Sequence, residues 1–176
     1  AVTATPARAT AKHAAQHVAE PAFGLRRIVI VIAPAVVFRL AARTGWAAVP
    51  VEGFLPADEF FACLAKRRFP TTVTVRPRDL LDYLPEPDIF HDVFGHVPLH
   101  ANPVFADFLQ QFGELARRAE STEQTEAMAR LFWFTVEFGL IREEGMTKVY
   151  GSGLFSSSAH CMTALSEKRE RRPPTL

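Results

Sequence analysis

Two histidines bracket a helix stop in His91-Asp92-Val93-Phe94-Gly95-His96-Val97-Pro98. On an unbroken α-helix, residues five apart point about 140° from each other, so these imidazoles would face different directions. Gly95 suits the left-handed position just past a helix end, Pro98 forbids continuation, and Asp88 after Pro87 is a ready N-cap. A short helix ended this way swings His96 back towards His91. Glu137 supplies a third candidate ligand. On a helix it shares its face with Trp133, Phe134, Leu140 and Ile141, all apolar, so that face is expected to point into a core. A carboxylate there must be protonated, paired with a base or bound to a cation. Two imidazoles and one carboxylate suit non-haem Fe(II), and zinc hydrolases use a similar set in four-coordinate geometry. Spacing alone leaves iron and zinc open, although the glutamate base that follows the first histidine of a metalloprotease motif is absent.

With 176 residues, 48% of them hydrophobic and 22% charged, the chain is long and apolar enough for one globular domain with its own core. A net charge of +1 provides no field for nucleic acid or an acidic membrane. Cys63 and Cys161 make no disulfide framework, so a reducing cytoplasm is the expectation. Fifteen Phe against two Tyr imply a core and pocket of unsubstituted rings, a suitable lining around an oxidant.

Residues 1–20 show no firm periodicity and are expected to be disordered. The apolar run Ile28 to Phe38 is too short to span a bilayer, and its β-branched start, Ile28 to Ile32, reads as a buried strand. Asp58 to Lys66 reads as an amphipathic helix, and Thr71 to Val75 as a strand ended by Arg76-Pro77. Asn102-Pro103 opens a helix with Phe105, Phe108, Leu109 and Phe112 as core positions. Ser121 and Gln124 form a capping box for the helix that carries Glu137, and Met146 to Tyr150 is a short strand. The reading is a mainly α domain with a few short strands, divided into a divergent segment 1–43, a core 44–166 and a charged tail 167–176.

Several stretches are similar to one known family: Thr44-Gly45-Trp46, Pro50 to Leu55, Phe60-Phe61, Arg67 to Pro70, Leu81 to Leu84, Glu86 to Leu99, Trp133 to Leu140 and Tyr150 to Ser157. Across them the chain resembles the pterin-dependent aromatic amino acid hydroxylases, with the single-domain bacterial phenylalanine 4-hydroxylases as the nearest branch. The resemblance implies that family's catalytic-domain fold and Fe(II) held by His91, His96 and Glu137. It implies a tetrahydropterin that joins the metal in activating dioxygen, and hydroxylation of L-phenylalanine to tyrosine, a step of phenylalanine catabolism. Gly53, Phe54 and Leu55 would offer backbone hydrogen bonds to the pterin, and Phe60 would stack on it, unless Phe60 is ordinary core. Asp92 would reach the pterin through water or orient a histidine, unless it is simply exposed. Arg76 would clamp the substrate carboxylate, and Pro87, Trp133 and Ser156 would complete the substrate pocket. Partners would be small molecules only, with no nucleic acid or membrane, and the protein a cytoplasmic monomer.

The chain also departs from that family's pattern. Residues 1–43 show no match, relatives continue well past the Ser-Ser motif, and they carry Ser-Ser-x-Gly-Glu where this chain has Ser156-Ser157-Ser158-Ala159-His160. Phe132 stands where they often have Tyr. A domain shortened at its C-terminus is therefore expected. The rival to the enzyme is a catalytically inactive remnant that binds metal or amino acid.

Overall fold

The protein is described by a computed structural model over residues 39–51, 53–78 and 87–166. The expected disorder of 1–20, the strand at Ile28 to Ile32, the Leu81 to Leu84 motif and the charged tail from 167 lie outside the described residues.

Residues 39–44 are helical, and Gly45, with φ +75°, turns the chain into β1 (Ala47–Val51). Strand β1 pairs in parallel with β2 (Arg68–Thr72), from Ala47 opposite Arg68 to Val51 opposite Thr72, and α1 (Ala57–Leu64) makes the crossover. The strand expected at Thr71 to Val75 thus lies three residues earlier, and β1 has no counterpart in the sequence reading. Both strands contain proline, Pro50 and Pro70, which argues against a central strand. A two-stranded sheet has only edge strands, where proline is tolerated.

The helix opened by Asn102-Pro103 is α2 (Pro103–Ala116), capped by the Asn102 side chain, which accepts from Val104 N and Phe105 N. Its inner face, Ala106, Leu109, Phe112 and Ala116, packs with Phe61 and Leu64 of α1, and Trp46 is sealed beside it, donating from Nε1 to the Ala106 carbonyl. Phe108, expected in this core, is exposed, because the buried stripe runs through Ala106 and Leu109. His100 is buried here too, and burial holds its imidazole down to about 4.

Helix α3 (Thr122–Phe132) starts at Ser121, whose side chain accepts from Gln124 N; Gln124 reaches back to Glu120 N, one residue before the expected box partner. Beyond the site follow the hairpin β3 (Leu140–Glu143) and β4 (Met146–Val149), then α4 (Ser152–Phe155) and α5 (Ser158–Leu165). The fold is mainly α with a few short strands. Among the described residues, no helix is long and apolar enough to cross a membrane.

Candidate metal centre

The first two ligand candidates sit on a π-helical turn. Asp88 caps it as expected, accepting from His91 N at 2.9 Å, and residues 91–96 then widen into a π-helix. The helix does not stop at Gly95, which is not left-handed; the chain runs on through a 3-10 turn, Val97–Ala101, with Pro98 in its first turn. Bonding from i to i+5 brings residues five apart onto one face, so widening, rather than termination, makes His91 and His96 converge. Gly95 serves close packing: a Cβ there would meet the Ser152 carbonyl at 3.0 Å, and Ser152 Oγ donates to the Gly95 carbonyl at 2.9 Å.

Glu137 also ends a π-helical turn, Trp133–Glu137, continuous with α3, in which Phe138 N bonds to the Trp133 carbonyl. The expectation that its face enters a core is corrected. Trp133, Phe134 and Ile141 are 53%, 62% and 50% exposed, and Leu140 and Ile141 belong to β3 rather than the helix. The carboxylate is largely buried instead by the wall of a cavity. Gly151 and Gly139 permit this, since a Cβ at Gly151 would overlap the Glu137 carbonyl and one at Gly139 the Tyr150 ring.

The three side chains meet. His96 Nε2 lies 3.0 Å from His91 Nε2 and 2.9 Å from Glu137 Oε1, and His91 Nε2 lies 3.5 Å from Glu137 Oε2. Ligands on one face of an octahedron with bonds near 2.1 Å stand about 3.0 Å apart, against about 3.4 Å for a tetrahedron. The three separations, 2.9 to 3.5 Å, span both values, so the donor set suits a metal of either geometry and spacing does not choose between iron and zinc. Burial, reinforced by the like charge of His96, holds His91 down to about 4, so its ring is neutral and can donate a lone pair at neutral pH. Burial pushes the Glu137 carboxyl up, but attraction to His96 and His91 outweighs it and keeps the group below its ordinary value.

His91 Nδ1 donates to Ser156 Oγ at 2.7 Å, and Ser156 Oγ donates to the Ser152 carbonyl at 2.8 Å. This relay fixes the His91 tautomer that presents Nε2 to a metal. Ser156→Ala should therefore weaken Fe(II) binding about tenfold to a hundredfold in an anaerobic titration, the usual effect of removing a ligand's outer partner. Unchanged affinity would separate Ser156 from the metal. Asp92 is buried, which removes the exposed reading, and its ligand atoms lie within 4.8 Å of both histidines'. Its Oδ2 accepts from Thr72 N at 2.6 Å, whereas the Glu137 oxygens contact both imidazoles, so the two histidines have two carboxylates beside them. Burial pushes the Asp92 carboxyl up to about 6.

The cavity above these groups measures about 570 Å³. Gly53, Phe54 and Leu55 line one side with Phe60, which also packs edge-on against Phe132 at 5.1 Å and so serves both core and cavity. Arg76, Pro87, Trp133 and Ser156 line the other part. Arg76 is held in a two-pronged bond to Asp88, Nε to Oδ2 and an Nη to Oδ1, each 2.8 Å, and sits over the Phe90 ring at 5.4 Å. Sequence reasoning did not join Arg76 to Asp88, and it passed over Phe138, which tilts against Trp133 at 4.7 Å, and His100.

Known proteins carry the same architecture. The family described as biopterin-dependent aromatic amino acid hydroxylase matches residues 23–175, further towards both ends than the motifs at 44–157. Phenylalanine-4-hydroxylase of Chromobacterium violaceum is 48% identical over 134 residues, 74% of this chain and 45% of that protein. The apo phenylalanine hydroxylase of Colwellia psychrerythraea 34H superposes with a TM-score of 0.74 at 38% identity, over 77% of this chain and 52% of that one. The C. violaceum enzyme with bound iron(III) and oxidized cofactor 7,8-dihydrobiopterin superposes at 0.72 with 47% identity, over 74% and 48%. This chain spans about half the length of these relatives. A match over so much of the chain, joined to the same fold, makes this protein a member of the biopterin-dependent aromatic amino acid hydroxylase family.

Proposed function

We propose that residues 44–166 form the catalytic core of an Fe(II)- and tetrahydropterin-dependent monooxygenase that converts L-phenylalanine to tyrosine. The observation that carries this reading is the convergence of His91, His96 and Glu137 on a cavity that also presents Arg76 and an aromatic wall. Bound iron and reduced pterin supply the electrons that activate dioxygen for attack on the ring. The protein's own groups do the positioning. Two imidazoles and one carboxylate would hold the metal on one side, with the cavity open to the other. The backbone at Gly53, Phe54 and Leu55 bonds the pterin, Phe60 stacks on it, and Asp92 reaches it through water. Trp133 and Pro87 pack the substrate ring, Ser156 steadies His91, and the apolar lining keeps water out. The relative from C. violaceum, with iron and dihydrobiopterin bound, supports this assignment. The free Cys63 and Cys161 fit a reducing, cytoplasmic setting, and in this reading the protein is a monomer whose partners are small molecules.

Arg76 holds the substrate carboxylate, its guanidinium kept in place by Asp88. Arg76→Lys keeps the charge but loses the planar fork, and Arg76→Ala loses both, so apparent phenylalanine affinity should fall in that order. The loss for Ala should be about tenfold to a hundredfold, equivalent to about 1.5–3 kcal/mol, with pterin affinity barely moved. Steady-state kinetics with each ligand varied separately tests this, alongside unfolding curves that reveal any loss from stranding Asp88. Equal losses for both ligands would make Arg76 purely structural.

A further inference from the structure

His100 belongs to no motif and does not line the cavity, yet it is 1% exposed and makes a specific bond. Its Nδ1 donates to the backbone carbonyl of His96 at 2.8 Å. A carbonyl only accepts, so Nδ1 carries the ring proton and Nε2 is left as a buried acceptor with no partner among the described residues. Leucine or phenylalanine would fill the same space between Trp46, at 4.5 Å, and Phe69, at 4.9 Å, without stranding a nitrogen. Packing therefore does not account for a histidine here, whereas the bond to His96 does.

The two imidazoles of the metal centre are held differently. His91 is pinned at Nδ1 by Ser156, but the buried Nδ1 of His96 has no partner among the described residues. The His96 ring is oriented by its own backbone and by Phe69, whose ring lies 4.6 Å away. His100 touches both. We propose that His100 is a positioning residue of the metal centre, which fixes the aim of His96 Nε2 by bonding its carbonyl and bracing Phe69. The Thr44 hydroxyl anchors His100 in turn by donating to its carbonyl at 2.8 Å. This inference rests on the reading of His91, His96 and Glu137 as metal ligands.

Anaerobic Fe(II) titration of the full chain by calorimetry, with thermal unfolding of the metal-free protein, tests it. His100→Leu keeps bulk and removes the donor. It should bind Fe(II) about tenfold to a hundredfold more weakly, while its metal-free unfolding midpoint stays level or rises. His100→Asn places an amide N–H near the position of Nδ1 but fills less space, so it should recover most of the affinity while unfolding at lower temperature. Opposite rankings of affinity and stability are what a merely structural histidine would not produce. Wild-type Fe(II) affinity in His100→Leu, or affinities that simply follow stability, would overturn the proposal. If His100→Leu does not fold, His100→Phe is judged by the same criteria. Failure of the wild-type chain to bind Fe(II) would overturn the metal reading itself, whereas normal binding by wild type and His100→Leu alike would sink only the role of His100.

Discussion

Glu137→Gln is expected to weaken Fe(II) binding by more than about a hundredfold, beyond the effect of removing an outer-shell partner. The carboxylate is the one anionic ligand in the set, and its oxygens stand 2.9 Å and 3.5 Å from the two imidazole nitrogens. Glutamine keeps the shape but replaces a charged donor with a neutral amide, which Fe(II) favours far less. The fold should survive, because the helical turn and the close approach of Gly151 do not depend on the charge. Metal content after anaerobic loading, with a circular dichroism spectrum as the control, measures this. Full iron occupancy in the variant would remove Glu137 from the site.

Asp88→Ala should destabilise the fold by about 3–5 kcal/mol, because it removes the carboxylate that a largely buried guanidinium binds with two bonds. Asp88 is 0% exposed, grips Arg76 with both oxygens and caps His91 N. Burial pushes its carboxyl up, and the bonds from Arg76 and the backbone outweigh this, leaving it below the ordinary value. On acidification, the unfolded chain therefore takes up a proton near pH 4, where the folded carboxyl still resists. The contribution is fully present above that point and is lost as pH falls through the folded value. Urea unfolding across acidic pH should show this decline in wild type and a flatter limb in Asp88→Asn. Wild-type stability in Asp88→Ala would mean that the pair contributes nothing.

The candidate ligands were legible because residue type carries the information. Two imidazoles flanking a glycine just before a proline, and a glutamate among aromatics, are residue types that suit a metal. The geometry joining them was not legible. A helix stop at Gly95 is the natural local reading, but in the fold Gly95 continues a π-helix and packs against α4, a contact made from 57 residues away. Glu137 was recognised as a costly carboxylate for the wrong reason, since its shelter is a cavity wall and glycine contacts rather than a hydrophobic helix face. Strand β1 escaped detection and β2 was read three residues too late, because Pro50 and Pro70 contradict strand propensity and only the pairing of the two strands explains them. The Arg76–Asp88 pair spans twelve residues, and no periodicity links its ends. His100 carries no local signal, because its importance lies in a backbone carbonyl and an aromatic ring that only the folded chain brings to it.

The most direct test is to load the full chain with Fe(II) under anaerobic conditions, add L-phenylalanine and reduced pterin, admit oxygen, and quantify tyrosine. Tyrosine that forms only when metal, pterin and oxygen are all present, and that disappears in Glu137→Gln, is the predicted result. Stoichiometric Fe(II) binding with no tyrosine formed would contradict the enzyme and leave a metal-binding remnant of the family.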